Sequence, residues 1–244
     1  MRYLILSDIH ANLEALAAVI KNAEGTYDQV VCLGDVVGYG ADPNAVTDWV
    51  RENCEVVIRG NHDKACCGLE EPTLFNPFAR QAVTWTFDTL SEQNRQYLRE
   101  LPRGPFDARD FVMVHGSVRD EDEYVLEMRD AAPQFEYAAG RLVFFGHTHV
   151  QGGFFLRAIN GAGPQSGETP RSAITVRDGD SMLANPGSVG QPRDLMWEAA
   201  YALYDAQTRR LEYRRCPYDV ARAQQKILDA GLPTTLAERL VLGR

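Results

Sequence analysis

Short apolar runs, each closed by a polar or charged residue, alternate with helical periodicities over the first part of the chain. Tyr3 to Leu6 is a continuous apolar run that stops at Ser7-Asp8-Ile9-His10. A helix is predicted from about Leu13, with Leu13, Leu16, Ala17 and Ile20 on one face and Gly25 past its end. Val30 to Leu33 reads as a second strand ending at Gly34-Asp35, and Asp42-Pro43 then opens a helix in N-cap and N1 style with Val46, Trp49 and Val50 inward. Glu55 to Ile58 is a third strand and ends at Arg59-Gly60-Asn61-His62-Asp63. Runs that are apolar throughout, rather than alternating, point to strands covered on both faces.

The segment from about 76 to 101 reads as helical, with Asn76-Pro77 and Ser91 as starts and Pro102 as a stop. Phe111 to Val114 is a fourth strand closed by His115-Gly116-Ser117. The acidic stretch Asp120 to Glu123 reads as a solvated face, and a weak helix follows near Ala131 to Ala139. Leu142-Val143-Phe144-Phe145 is a fifth strand, ended by Gly146-His147-Thr148-His149. Beyond it the alternation stops. Phe154 to Leu156, Ile174 to Val176 and Met182 to Ala184 are short strands without helices between them, and residues 160–172, rich in Gly, Pro and Ser, read as a mobile surface loop. Tyr201 to Tyr204 and Leu211 to Arg215 pair as a hairpin. Two helices close the chain, one starting near Asp219 with Val220, Ala223 and Ile227 inward, the other with a capping box at Thr235 and Glu238. The organisation expected is one domain over 1–244, with a helical insert at about 66–101 and a C-terminal hairpin and helices at about 200–244.

All five histidines of the chain follow strand-like runs. Asp8, His10, Asp35, Asn61, His62, His115, His147 and His149 stand just past predicted strand ends, the edge where open α/β sheets gather ligands. Carboxylate, imidazole and amide groups together suit Mn²⁺, Fe²⁺, Zn²⁺ or Ni²⁺, and exceed what a single tetrahedral ion needs. Two ions sharing a carboxylate would use them, an arrangement suited to phosphate-ester hydrolysis. Taken singly, Asp35 or Asn61 would pass for a turn residue and Asn12 for a helix N-cap, with a substrate contact as its second reading.

Asp8-x-His10, Gly34-Asp35, Gly60-Asn61-His62-Asp63, His115-Gly116 and Gly146-His147-x-His149 together resemble the calcineurin-like metallophosphoesterase superfamily, in the family's order. The resemblance implies an α/β fold, a four-layer αββα sandwich of two mixed sheets flanked by helices. It implies that Asp8, His10, Asp35 and His149 hold one metal, that Asp35, Asn61, His115 and His147 hold the other, and that a water or hydroxide between the ions attacks phosphorus. His62 would then act as acid or charge stabiliser, with Asp63 orienting its ring. Gly34, Gly60, Gly116 and Gly146 read as devices that let the chain bend toward the ions.

Where the serine/threonine protein phosphatase branch has G-D-x-V-D-R-G, this chain has Gly34-Asp35-Val36-Val37-Gly38-Tyr39-Gly40, which lacks that branch's supporting Asp and phosphate-gripping Arg. Arg59 before Gly60 does match that branch, as a substrate contact or a structural residue. Asn185-Pro186-Gly187-Ser188 through Arg193 resembles a segment of small bacterial and archaeal phosphodiesterase-like members, in which Arg193 or Asn185 would approach a phosphate. The function expected is hydrolysis of a small phosphodiester or nucleotide with two divalent ions, Mn²⁺ being the activator expected in vitro. Asymmetric cleavage of dinucleoside polyphosphates and phosphomonoesterase activity are the alternatives within the fold. A protein-binding scaffold would lack ligands, and here each is present.

Charge and composition narrow the partners. A net charge of −9 disfavours nucleic acid as an obligatory partner. Arg209-Arg210 and Arg214-Arg215 read as a solvated face. No apolar run approaches the roughly 18 residues of a membrane span, and no signal-peptide pattern opens the sequence. Five cysteines, two of them adjacent and none in a C-x-x-C pair, agree with a reducing, cytoplasmic setting. Self-association into a homo-oligomer stays open.

Overall fold

The computed structural model describes residues 1–157 and 163–244. Among these, one mixed sheet is built from β1 (Arg2–Leu6), β2 (Gln29–Cys32), β3 (Val56–Val57), β9 (Ala173–Thr175), β11 (Ala199–Asp205) and β12 (Arg210–Cys216), in the order β3-β2-β1-β11-β12-β9. The other is built from β4 (Phe106–Asp107), β5 (Val112–Met113), β6 (Leu142–Phe144), β7 (Gly152–Arg157), β8 (Gln165–Glu168) and β10 (Ser181–Asn185), in the order β4-β5-β6-β10-β7-β8. β1, β2 and β3 run parallel, as do β5, β6 and β10; the remaining pairings are antiparallel.

Alternation along the strands explains why their sequences are apolar throughout. Tyr3, Ile5, Val31, Leu33, Met113, Leu142 and Phe144 meet between the two sheets. There the Phe111 ring packs edge-on against Tyr3 and Phe144, with centroids 5.0 and 5.1 Å away. Leu4, Leu6, Val30 and Cys32 point the other way, under α1 (Leu13–Ala23), α2 (Pro43–Asn53), α3 (Asn61–Cys66), α4 (Pro77–Thr89), α5 (Glu92–Glu100), α8 (Val220–Asp229) and α9 (Thr234–Leu242). On the outer face of the second sheet, Val112, Val143, Phe145 and Leu183 are covered by α6 (Met128–Ala131) and α7 (Gln134–Ala138). Helices, sheet, sheet, helices: these are the four layers expected.

Several local expectations are corrected. The buried face of α1 is Ala15, Leu16, Val19 and Ala23; Leu13 and Ile20 pack half-buried beside it, while Ala17 is exposed. Asp42 and Pro43 do stand at the N-cap and first position of α2, but the Asp42 carboxylate makes no capping bond and accepts from Lys226 Nζ at 2.8 Å instead. Thr235 cannot cap α9, since it lies within the first turn, and Pro233 stands at the cap position. Asn76 and Ser91 do cap, and they divide 77–100 into α4 and α5. α3 and β4 were not legible as elements. Within 160–172, residues 160–162 lie outside those described, and β8 occupies part of the remainder as an edge strand paired to β7. The acidic stretch is not simply solvated: Glu121 is buried and paired with Arg59 and Lys64, and Asp122 with Lys64. No helix of the described residues is long and apolar enough to cross a membrane.

Candidate metal centre

The C-terminal ends of β1, β2, β3, β5 and β6 meet at one edge of the sandwich, so both sheets contribute. Asp8, His10, Asp35, His147 and His149 each adopt a left-handed backbone, with φ between 49° and 65°. Such conformations cost non-glycine residues on the order of 1–3 kcal/mol each and persist where surrounding bonds impose them. The Asp and His residues therefore make the bends themselves. Gly60, Gly116 and Gly146, expected as bending points, have no positive φ. Gly60 serves close approach instead, since a Cβ there would overlap Asp35 Oδ1.

Among the described residues, two groups of side chains could hold a metal ion: Asp8, His10, Asp35 and His149, and Asp35, His115 and His147, with ligand atoms in each group within 4.8 Å of one another. Asp35 belongs to both. Its Oδ2 lies 3.5 Å from His10 Nε2 and 3.4 Å from His115 Nε2, and is buried with no hydrogen-bond partner. Its Oδ1 accepts from the His62 backbone N–H at 2.9 Å. Asn61 Oδ1 is 3.4 Å from His115 Nε2, at the first position of α3, so the amide joins the second group.

Each imidazole is oriented by a backbone carbonyl on its outer side. His10 Nδ1 donates to Val37 O at 3.0 Å, His115 Nδ1 to Leu33 O at 2.8 Å and His149 Nδ1 to Gln191 O at 2.7 Å. A carbonyl can only accept, so these nitrogens carry the proton and the Nε2 lone pairs face inward. His147 is reversed: Nε2 donates to Asp122 O at 3.1 Å, leaving Nδ1, and its ring stacks on Tyr124 with centroids 3.9 Å apart. His147 and His149 thus fall in different groups.

Electrostatics match a site built around positive charge. Burial would raise Asp35, yet His115 and His62 outweigh it and hold its carboxyl well below the usual range. Burial would lower His115, but Asp35 opposite raises it to about 10. Burial brings His10 down to about 4 and His147 to about 3, and pushes Asp8 up to about 7. An inward-facing orphan oxygen, the neutral imidazoles of His10 and His147 and a mixed oxygen and nitrogen donor set fit a divalent transition metal, which would take the place of the proton that Asp35 holds on His115.

The other predicted site residues separate into two kinds. His62 lies in the cleft, buried, with its Nδ1 unpartnered and its pKa held well below the usual value, chiefly by burial. Asp63 does not orient that ring, contrary to expectation: Oδ1 accepts from Val36 and Val37 N–H, and Oδ2 from Gly60 N–H. Arg59 is committed to Glu121 through two bonds of 3.1 and 3.0 Å, and Asn12 caps α1 while donating to Gly190 O, so neither points to a substrate. Asn185 is likewise used, donating to Gly146 O and Thr148 Oγ1 and bracing the turn that carries His147. Arg193 is different. Its backbone N–H donates to His149 O, its Nη2 to Tyr39 Oη at 3.4 Å, and its buried Nε has no partner.

A cleft of about 240 Å³ opens here, lined by Tyr39, Asn61, His62, Phe75, Tyr124 and His147 among others. Tyr39 packs on both His62 and His10, with centroids 4.3 and 4.7 Å away, and Phe75 meets the His62 edge at 4.8 Å. Sequence reasoning missed Phe75, Tyr124 and the orienting carbonyls. Aromatic residues amid helix starts and acidic runs carry no distinguishing signal, and backbone carbonyls carry none at all.

A family model described as calcineurin-like phosphoesterase superfamily domain matches residues 1–209. An uncharacterised protein of Methanocaldococcus jannaschii is 34% identical over 246 residues, covering 98% of this chain and 97% of that one. The crystal structure of a metallophosphoesterase from Sphaerobacter thermophilus superposes with a TM-score of 0.85 at 39% identity, covering 100% of this chain and 99% of that one. A hypothetical protein of Pyrococcus horikoshii shares the fold, with a TM-score of 0.78 at 19% identity and coverage of 100% and 98%.

Proposed function

The chain belongs to the calcineurin-like phosphoesterase superfamily, and from that premise we propose that it hydrolyses a small phosphodiester or nucleotide with two divalent transition-metal ions sharing Asp35. The observation that carries this reading is the buried, unpartnered Asp35 Oδ2 between the inward Nε2 atoms of His10 and His115. Asp8, His10, Asp35 and His149 would hold one ion; Asp35, Asn61, His115 and His147 would hold the other. Such ions, when bound, supply Lewis acidity toward phosphoryl oxygens and lower the pKa of an attacking water.

The chain's own groups do the remainder. Outer carbonyls fix the imidazole tautomers, so the ligand geometry is set before substrate arrives. His62, in the cleft and free of other bonds at Nδ1, donates a proton to the leaving oxygen or a hydrogen bond to the phosphoryl group. Arg193 offers an unused donor to a phosphate oxygen. Tyr39, Phe75 and Tyr124 give the cleft aromatic walls suited to a flat leaving group such as an aryl ring or a nucleobase. We read residues 1–244 as one phosphoesterase unit, because β12, α8 and α9 complete the first sheet and its covering layer. A reducing, cytoplasmic setting suits its free thiols.

The test is a screen of aryl phosphodiesters, phosphomonoesters, mononucleotides and dinucleoside polyphosphates with added Mn²⁺. Metal-dependent phosphate release supports the reading. A protein that takes up no transition metal and turns over none of them favours a scaffold.

A further inference from the structure

Two cations bracket the motif Gly60-Asn61-His62-Asp63, and both reach the same acidic segment. Arg59, just before the motif, donates to Glu121 through bonds of 3.1 and 3.0 Å. Lys64, just after it in α3, places Nζ 2.8 and 3.0 Å from the two Asp122 carboxylate oxygens and 3.2 Å from Glu121 Oε1. The same ammonium lies 3.0 Å from Glu70 Oε2, so a lysine side chain only 7% exposed joins three acids. A buried ammonium is tolerated in such company.

Residues 121–124 form a strap over one side of the metal centre. The Asp122 backbone O accepts from His147 Nε2 at 3.1 Å, and Tyr124 stacks on the His147 ring with centroids 3.9 Å apart. The strap also lies on Gly116, the residue after His115, where a Cβ would stand 2.7 Å from both Glu121 O and Glu123 O. Asn61 opens the helix that carries Lys64. The segments bearing Asn61, His115 and His147 are thus all joined to the strap. His10 and His149, in the other group, are oriented from elsewhere, by Val37 O and Gln191 O.

We infer that Lys64, with Arg59 beside it, clamps the strap so that His147 presents Nδ1 to the ion it would share with Asp35, Asn61 and His115, and that the clamp sets the affinity of that ion alone. The inference rests on the two-ion reading. Lys64 is a positioning residue that acts through Asp122. A carbonyl bonded to the outer imidazole nitrogen fixes the tautomer and frees the other lone pair for a metal. Without the ammonium, the carboxylates of Glu70, Glu121 and Asp122 repel one another, the carbonyl leaves His147, and the ring is free to turn.

The test is calorimetric titration of the metal-free full chain with Mn²⁺, with EPR of the loaded protein reading whether two ions lie close enough to couple. Wild type is expected to take up two ions, and His147→Ala identifies the step that belongs to its site. Lys64→Met is expected to weaken that step on the order of 10- to 100-fold, to keep the other step, and to lose the coupled EPR signal at a Mn²⁺ concentration that saturates wild type. Lys64→Arg is expected to recover part of the affinity, since a guanidinium still pairs with the acids. Asp122→Asn keeps the carbonyl and drops the charge that Lys64 holds. It should weaken the same step, and it decides the matter if Lys64→Met fails to fold. Unchanged binding, equal weakening of both steps, or weakening of the step that His147→Ala spares overturns the clamp. A wild type that takes up one ion overturns the two-ion reading and the clamp together, whereas two ions in wild type with an unaltered Lys64→Met overturn the clamp alone.

Discussion

Gly38 lies against the ring of His62: its backbone passes through φ +88°, and a Cβ built on it would sit 2.5 Å from His62 Nδ1. This is the position where the protein phosphatase branch places a supporting Asp. Here the space belongs to the imidazole, whose Nδ1 is left without a partner. Gly38→Ala should therefore push the ring out of the cleft as well as strain the turn. Turnover should fall on the order of 10²-fold, with metal content, measured by elemental analysis, unchanged. Unaltered turnover would show that the His62 position does not matter.

His62→Ala tests the same group by removal. The variant should keep its metals and lose a factor on the order of 10² to 10⁴ in turnover of substrates with poor leaving groups. Loss should be smaller with nitrophenyl leaving groups, which need no proton. A variant that instead loses a metal would move His62 into the ligand set.

Asp63 ties the start of α3 to the segment after Asp35 through bonds to Gly60, Val36 and Val37 N–H. Asp63→Ala leaves these buried donors open and should lower stability by about 2–4 kcal/mol, read from urea unfolding. A change under about 0.5 kcal/mol, the range of ordinary surface substitutions, would mean that water replaces the carboxylate without cost.

Glu121 gives a pH-dependent version of this argument. Burial would raise its pKa, but Arg59 and Lys64 outweigh burial and hold it below its ordinary 4.5. A carboxyl depressed in the folded state contributes fully above the unfolded value and loses that contribution as pH falls through the folded one. The Tm gap between wild type and Glu121→Gln should thus be present at neutral pH and close below about pH 4.5. A gap independent of pH would remove charge from the explanation.

What the chain discloses before folding depends on whether side-chain identity carries the information. β1, β2, β5 and β6 were legible because both their faces are buried and their sequences are apolar throughout. The Asp and His positions were legible because the residues that could bind metal are few and fall at strand ends. α3 was not, since Asn61-His62-Asp63 reads as a turn and the helix start is fixed by Asp63 binding Gly60, a fact of tertiary structure. Asn12, Arg59 and Asn185 have the chemistry of phosphate contacts, but each is consumed by neighbours that the sequence does not place beside it. Arg239 sits on a C-terminal helix far along the chain from the histidines, and the packing of Leu236, Ala237 and Leu240 in the core, with the bond from Leu195 N–H to Gly243 O, brings that helix against Tyr39.

The central claim is that Asp35 is shared by two metal sites. It is tested most directly by counting transition-metal ions per chain in wild type and Asp35→Asn, after loading with Mn²⁺ and removal of free ion, alongside turnover of a small phosphodiester. Two ions in the wild type, with occupancy lost from both sites and turnover abolished in the variant, is the result expected. An Asp35→Asn protein that keeps both ions, or a wild type that binds only one while turning over substrate, would contradict it.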